Sequence, residues 1–177
     1  MRIIAGKYRG RVLKEFKGRD IRPTADRAKE AIFNILQTEI VGSSFLDLFA
    51  GTGNMAIEAL SRGAEKVVMV DSSKESVVIQ KFNIDMIKET ADIICADALT
   101  FVSSTREKFD IIFLDPPYDM DATNILEAIA QNGLLNKGGI LIYEHSEHLK
   151  IGEIDCLEHK STRKYGIAHF EFYGEKL

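Results

Sequence analysis

The chain has 177 residues, of which 45% are hydrophobic and 28% charged, and this composition is typical of one globular domain. It excludes a fibrous or disordered chain, and no apolar run approaches the roughly 20 residues that a membrane-spanning helix requires. The first residues lack the apolar core and cleavage site of a signal peptide, so we expect a cytoplasmic protein. Cys95 and Cys156 lie in apolar, strand-like stretches without metal-type spacing, which predicts buried, reduced thiols and no disulfide.

Positive charge is concentrated near the N-terminus. The formal net charge is -4, yet residues 1–29 contain ten Lys or Arg and three acids, a net charge of +7. The rest of the chain therefore carries -11. A basic arm on an acidic body is expected of an enzyme that brings a phosphate backbone to one edge, although basic surface segments also arise for solubility alone.

The first predicted element is a short hairpin, in which residues 2–5 and 11–13 flank a glycine-bounded turn. Its basic side chains are those of Lys7, Arg9 and Arg11. Thr24 is a predicted N-cap for the helix that follows, because apolar residues recur there at helical spacing. These apolar residues are Ala28, Ala31, Ile32, Ile35 and Leu36.

From residue 45 onward, short apolar runs alternate with helical segments. Strands are predicted at 45–49, 67–70, 92–95, 111–114 and 140–143, and helices near 54–62, 73–88, 98–105 and 121–132. Strands that are apolar on both faces and separated by helices indicate an α/β fold with a mostly parallel sheet. Segments 154–159 and 168–173 leave no room for a long helix between them and predict an antiparallel pair at one sheet edge. We expect a hairpin arm over 1–24 and one main domain over 25–177.

A glycine-rich turn follows the first strand of the main domain. Asp47 lies in that strand four residues before Gly51, and Gly51 and Gly53 open a Gly-x-Gly-x-x-Ala pattern that lets backbone amides approach a ligand closely. Asp71 comes twenty positions after Gly51 and directly after the second strand, where a carboxylate can bind ribose hydroxyls. Dinucleotide-binding enzymes share this pattern, so on its own it does not identify the ligand.

Two further features favour S-adenosylmethionine as the ligand. Asp47 is suited to pairing with the amino group of the methionine moiety. Asp97 ends the third strand and could accept a hydrogen bond from an adenine amino group, while the Ala98 amide meets a ring nitrogen. The alternative interpretation of both acids is a helix cap or a solvated strand end.

The sequence Asp115-Pro116-Pro117-Tyr118 ends the fourth predicted strand, at the ligand edge of an open α/β sheet. An exocyclic amine on a base is a poor nucleophile, because its lone pair is delocalised into the ring. The Asp115 side chain and the Pro116 carbonyl can orient the two amine hydrogens, with the prolines fixing the backbone. Tyr118 can stack on a base swung out of its helix. The alternative is an ordinary Pro-Pro turn with an incidental tyrosine.

His145 and His148 are three positions apart, which in principle allows zinc ligation. No third and fourth ligands are spaced nearby, so we expect a surface loop near the substrate and no functional metal.

Several blocks together resemble the RsmD family of bacterial small-subunit ribosomal RNA methyltransferases. They are residues 1–10, 22–27, 47–53 and 114–118, with Lys164-Tyr165-Gly166 and Tyr173 near the end. The resemblance implies a Rossmann-like class I methyltransferase fold with a reversed final strand, S-adenosylmethionine as methyl donor, and guanine N2 in small-subunit ribosomal RNA as acceptor. The RNA would be bound as an assembled or nearly assembled particle.

The resemblance also implies roles for particular residues. It places cofactor binding on Asp47, Gly51, Gly53, Asp71, Asp97 and Ala98, and catalysis on Asp115, Pro116, Pro117 and Tyr118. It places RNA binding on Arg2, Lys7, Arg9, Arg11, Arg22, Thr24 and Arg27. Asn54-Met55-Ala56 departs from the commoner small, glycine-containing continuation, which leaves the cofactor contacts past Gly53 open.

Three other functions remain open on the sequence. An adenine-N6 or other exocyclic amino methyltransferase shares the Asp-Pro-Pro-Tyr chemistry, although a DNA enzyme usually carries a separate target-recognition region. A non-catalytic RNA-binding module would keep the fold, but the intact Asp115-Pro116-Pro117-Tyr118 motif argues against it. A protein-glutamine or small-molecule methyltransferase would not need the basic arm.

Overall fold

A computed structural model describes residues 1–17, 23–117, 120–149 and 151–176 of the chain, without the side chains of residues 23–25. Its helices are α1 (Pro23–Ile35), α2 (Asn54–Ser61), α3 (Lys74–Ile87), α4 (Ala98–Ser104) and α5 (Thr123–Gln131). Its strands are β1 (Ser44–Leu48), β2 (Lys66–Asp71), β3 (Asp92–Cys95), β4 (Phe109–Leu114), β5 (Leu135–Ser146), β6 (Leu157–Tyr165) and β7 (Ala168–Glu175).

The strands form one sheet in the order β3-β2-β1-β4-β5-β7-β6. The five strands from β3 to β5 run parallel, and β7 pairs antiparallel with both β5 and β6. The predicted α/β class, mostly parallel sheet and antiparallel edge are therefore confirmed. The carboxyl ends of the parallel strands meet along one edge, where ligands bind in open α/β sheets.

Each face of the sheet is covered by its own group of helices. On one face, side chains of β1, β4 and β5 such as Phe45, Phe113 and Ile142 join a core with residues of α1, α2 and α3. On the other face, Leu48 and Leu114 join a second core with residues of α4 and α5. Alternate residues of one strand thus enter different cores, which explains why the central strands are apolar on both faces.

The N-terminal residues pack onto the first of these cores. Arg2 and Val12 form an isolated antiparallel bridge, the minimal form of the predicted hairpin. Ile3, Tyr8 and Leu13 are buried in the core that includes α1 and α2. The segment is thus held by apolar burial, although its division from the main domain at residue 24 stays a prediction.

The start and the buried side of α1 differ from the prediction. The helix begins at Pro23, so Thr24 lies inside its first turn and the predicted N-cap is wrong. Proline suits the first helical position, because its fixed φ fits the helix and its missing N–H would lack a partner there. Ile35 is 40% exposed, whereas Phe33 is fully buried, so the predicted apolar face is rotated by part of a turn.

Two predictions about burial are wrong. Cys95 and Cys156 are both free and exposed. Cys95 ends β3, which is the edge strand on that side of the sheet that the described residues form. Cys156 has a positive φ of 67° in the turn before β6. His145 lies in β5 and is 8% exposed, so it does not belong to a surface loop.

The predicted bounds of the last elements also shift. α5 begins at Thr123, and β6 runs from Leu157 to Tyr165, later than the predicted segment 154–159. In the described part of the chain, no helix combines the length and apolarity needed to cross a membrane.

Candidate active site at the carboxyl edge of the sheet

The glycine-rich turn between β1 and α2 has a backbone that few residues other than glycine adopt. Gly51 and Gly53 have φ values of 54° and 80°, and Phe49 also has a positive φ of 61°. A Cβ on Gly53 would lie 2.8 Å from the Met69 Sδ, so a side chain there would have to displace the buried Met69 side chain of β2. The left-handed backbone and the close approach of β2 together explain the glycine at position 53.

Side chains from β2 and α3 hold this turn in place. The Gly51 amide donates to the Asp71 Oδ2 over 2.8 Å, and the Gln80 Nε2 donates to the Gly51 carbonyl over 2.9 Å. The Asn83 Nδ2 donates to the Thr52 carbonyl over 3.0 Å. Gln80 and Asn83 were not predicted from the sequence, because no local motif marks a residue that reaches back 29 to 31 positions.

Asp47 lies under the turn and is 2% exposed. Its Oδ2 accepts from the Ala56 amide in the first turn of α2 over 3.1 Å. Burial, with smaller contributions from the charges of Asp115 and Asp71, raises the pKa of Asp47 to about 8 against the opposing effect of the Ala56 amide. A cationic group bound beside Asp47 would stabilise its ionised form.

Asp97 is the N-cap of α4, as the alternative interpretation proposed. Its Oδ1 accepts from the Thr100 amide over 2.9 Å and from the Thr100 hydroxyl over 3.1 Å. Ala98, the first residue of α4, is buried. Both residues lie at the same sheet edge as the glycine turn, and their contact with a cofactor stays a prediction.

Asp115 directly follows β4, and its amide donates to the Leu48 carbonyl at the end of β1 over 3.4 Å. The residue keeps access to solvent, while the surrounding protein atoms desolvate its carboxyl and raise its pKa to about 7. Pro116 is buried, and the Pro117 carbonyl accepts from the Met120 amide over 2.9 Å. Tyr118 lies outside the described residues.

Glu144 is a site residue that the sequence motifs did not identify. Leu114 of β4 pairs with Tyr143 of β5, so Asp115 and Glu144 follow at the same level on adjacent strands. Burial and the Asp115 charge raise the pKa of Glu144 to about 9. The available signal was its position, since this acid directly follows the predicted strand 140–143 at the same edge as Asp115.

Three carboxyls thus lie in a row on one face of the sheet. Asp47 lies in β1, Asp115 directly follows β4 and Glu144 lies in β5, and each continues the alternation that places Phe45, Phe113 and Ile142 in the same core. We call these three residues the carboxyl row. Because each is unfavourable as an anion in the protein alone, the row fits a cationic ligand and N–H donors. A cofactor that carries a sulfonium and an ammonium group therefore suits these three carboxyls.

The predicted RNA-binding residues divide between two places. Lys7 pairs with Glu89 over 2.9 Å, and the Arg11 guanidinium donates to the Met86 carbonyl over 3.0 Å. Both cations also lie 5.0 Å from the centre of the Tyr8 ring. These two residues are thus engaged with the end of α3 and the loop after it.

Three other predicted residues line a groove between the hairpin and α1. Arg2, Arg9 and Arg27 border this groove of about 500 Å³, together with Asp26 and Glu30. Arg22 and the Thr24 side chain lie outside the described residues. The arginine groove, as we call it, is the place where the structure brings predicted RNA-binding residues together.

A buried polar network joins the hairpin to the glycine turn. The Lys29 Nζ donates to the Arg2 carbonyl and to the Asn54 Oδ1, each over 2.7 Å, and lies 3.3 Å from the Glu58 carboxylate. Glu58, which is fully buried, also accepts from the amides of Ile4 and Ala5. The departure at Asn54 thus has a structural partner in Lys29.

His145 follows Glu144 in β5 and therefore lies on the opposite face of the sheet from the carboxyl row, whereas His148 lies in the exposed turn after β5. His145 and His159 both contact the Glu171 carboxylate, with Nε2 to oxygen distances of 3.2 and 2.6 Å. Within the ranges that the structure describes, no three His, Cys, Asp or Glu residues are arranged to hold a metal ion.

Comparison with known proteins identifies the family. A model described as Conserved hypothetical protein 95 matches residues 1–174. Ribosomal RNA small subunit methyltransferase D from Haemophilus influenzae is 39% identical over 153 residues, which cover 83% of this chain and 79% of that protein.

Two solved structures show the fold relationship. The Escherichia coli protein yhhF has a TM-score of 0.90 at 27% identity, covering 99% of this chain and 98% of its own. SMU.776, a structure complexed with SAH, has a TM-score of 0.68 at 14% identity and covers 86% of this chain and 50% of its own, a likeness of fold alone. The chain therefore belongs to the Conserved hypothetical protein 95 family, which is the RsmD family that its sequence motifs indicated.

Proposed function

We propose that the chain transfers a methyl group from S-adenosylmethionine to the exocyclic N2 of a guanine in small-subunit ribosomal RNA. The observation that carries this proposal is the place of Asp115 and Pro116, the two residues directly after β4, beside the glycine turn that follows β1. A cofactor bound at the turn after β1 and a base amine bound after β4 would lie next to each other, because β1 and β4 are adjacent strands. The name of the Haemophilus influenzae relative supports the same class of substrate.

The cofactor residues hold their ligand by charge and by close backbone approach. S-adenosylmethionine supplies an activated methyl group on a positively charged sulfur. Asp47 would bind its amino group, and the buried carboxyl gains from a cation because its own ionised form is otherwise disfavoured. Asp71 already accepts from the Gly51 amide through Oδ2 and from the Ser73 amide through Oδ1, so it would meet the ribose with its orientation fixed.

The reacting amine is oriented by two acceptors. The Asp115 carboxylate and the Pro116 carbonyl would each accept one N–H, which directs the nitrogen lone pair at the methyl group. Pro116 and Pro117 restrict the backbone that carries both acceptors. Catalysis is then an in-line displacement that depends mainly on positioning, and it needs no metal.

The arginine groove and the remaining basic residues of the hairpin would bind the RNA backbone. Arg2, Arg9 and Arg27 lie together, and guanidinium groups suit bidentate contacts with phosphate oxygens. Phosphate contacts position an RNA without reading its sequence, so the choice of base would depend on the residues around Asp115.

The experiment is transfer of labelled methyl from S-adenosylmethionine to small ribosomal subunits, naked ribosomal RNA and DNA, followed by nucleoside analysis. We expect label in N2-methylguanosine from small subunits or their RNA. Label confined to N6-methyladenine would contradict the guanine assignment and favour the adenine-N6 alternative. Binding of RNA without transfer to any substrate would favour a non-catalytic RNA-binding module.

A further inference from the structure

Glu144 and Asp115 are neighbours by strand register. The last paired residues of β4 and β5 are Leu114 and Tyr143, and the strands run parallel, so Asp115, the residue directly after β4, comes level with Glu144 of β5. Neighbouring strands lie about 4.8 Å apart, and side chains at the same level point to the same face. Two carboxyls at this spacing cannot both ionise easily, because each charge opposes the other.

In the part of the chain that the structure describes, no cation offsets the raised pKa of Asp115 or of Glu144. Glu144 faces Phe170 of β7 in antiparallel register, and this phenylalanine is buried. β1 contributes Asp47, a further acid whose pKa the Asp115 charge raises. The buried Lys29 of α1 is paired with Glu58 of α2. A proton or a bound cation is therefore needed to lower the charge of the pair.

We propose that Asp115 and Glu144 act as one carboxyl pair that takes up the proton which methyl transfer removes from the base amine. Glu144 acts through Asp115, as the second carboxyl over which the proton is shared. The inference rests on the proposed function, and it goes beyond the orienting role of Asp115.

The proton balance of the reaction explains why a pair serves better than one carboxylate. The bond between sulfur and methyl breaks, sulfur keeps the electron pair, and a bond between nitrogen and methyl forms. The nitrogen then carries a positive charge and loses one N–H proton. A sulfonium beside the pair favours ionised carboxyls, and a neutral thioether does not. The proton affinity of the pair therefore rises as the amine gives up its proton, and the proton passes later to water.

Calorimetric proton counting tests this step without RNA. Binding of S-adenosylmethionine and of S-adenosylhomocysteine is measured at about pH 8 in buffers of different ionisation enthalpy, which gives the protons released by each ligand. We expect the sulfonium ligand to release more protons than the thioether in the wild-type protein. The difference is the proton uptake of the site when the sulfonium becomes a thioether.

The matched variants are Glu144→Gln and Glu147→Gln. Glu147 is exposed and directly follows β5, so its loss should leave the difference unchanged. Glu144→Gln should reduce the difference by about half or more, since one of the coupled groups no longer titrates. An unchanged difference in Glu144→Gln, or equal proton release by the two ligands in the wild type, would overturn the proposal.

A measurement on the wild type alone covers the case in which Glu144→Gln does not fold. With glutamate labelled at the side-chain carboxyl, NMR should show one glutamate that titrates well above its ordinary range. S-adenosylmethionine should lower that titration and S-adenosylhomocysteine should not; a response to both ligands or to neither would refute the pair. Label in a base other than guanine would contradict the proposed substrate and leave this result standing, whereas failure to bind either ligand would contradict both.

Discussion

The glycine turn and the carboxyl row lie side by side at one sheet edge, but among the described residues the polar groups of the turn are hydrogen-bonded and two of the three carboxyls of the row are not. The turn is fixed by hydrogen bonds from Asp71, Gln80 and Asn83. In the described part of the chain, the carboxyls of Asp115 and Glu144 accept no hydrogen bond, and desolvation by the surrounding protein atoms raises the pKa of both, although Asp115 keeps access to solvent. The turn is thus organised before a ligand arrives, whereas the row depends on a ligand for its charge state.

This difference separates binding from chemistry. A hydrogen-bonded turn presents a fixed surface, which lowers the entropy cost of binding a cofactor. Desolvated carboxyls interact strongly with charge that appears or disappears next to them, because the surrounding medium screens little. Asp47 shares features of both regions, since it accepts from the Ala56 amide and is nevertheless buried with a raised pKa.

The largest expected effect on cofactor binding is that of Asp47→Asn. Loss of a buried charge partner should weaken S-adenosylmethionine binding by about 2–5 kcal/mol. Since a cation binds the ionised form, wild-type affinity should rise with pH through about 8, and the variant should lose much of that rise. Titration calorimetry from pH 6 to 10 measures both.

The same Asp47→Asn protein provides its own folding control. The folded pKa of Asp47 lies above its ordinary value of 3.8, so ionisation disfavours the fold and wild-type stability falls as pH rises from about 4 to about 8. The variant lacks this penalty and should be at least as stable as the wild type above pH 8. A variant that is unfolded there would show that Asp47 is needed for the fold itself.

A pair of glycines tests how rigid the turn is. Gly53→Ala combines a left-handed backbone with a Cβ 2.8 Å from the Met69 Sδ, and overpacking of this kind costs about 1–3 kcal/mol beyond the backbone strain. Gly10 has a similar φ of 84° and nothing within 4 Å of the added Cβ, so Gly10→Ala should cost only the strain, about 1–2 kcal/mol. Urea unfolding compares the two, and equal losses would mean that the turn adapts easily.

The smallest effect is expected at the RNA-binding surface. Replacing Arg2, Arg9 and Arg27 together by Gln should lower the salt slope of RNA binding by about 2, given roughly 0.7 for each phosphate contact on single strands. Replacing Lys7 and Arg11 should change the slope less, because both already contact the Glu89 region or the end of α3. Filter binding over a salt series measures the slopes. A larger change on replacing Lys7 and Arg11 than on replacing the three arginines would place the RNA-binding surface around Tyr8 instead of in the arginine groove.

The sequence predicted the parts of the site that local pattern encodes. Hydrophobic periodicity located each parallel strand, and the acids that follow these strands met at one edge because parallel strands align their carboxyl ends. Glu144 was missed, since a single acid after a strand is common and only the β4 to β5 register shows its neighbour. Burial was misjudged for Cys95 and His145, because it depends on strand order, which places β3 at an edge and covers β5 with β7.

The most direct test compares Asp115→Asn with the wild type in two measurements on the same preparation, the dissociation constant of S-adenosylmethionine and the single-turnover rate of methyl transfer to small-subunit RNA. We expect the dissociation constant to stay within about threefold, because the turn and Asp47 are intact, while the rate falls by about 100-fold or more through lost orientation of the amine. A variant that transfers methyl at the wild-type rate, or one that loses cofactor binding and rate together, would contradict the separation of binding from chemistry.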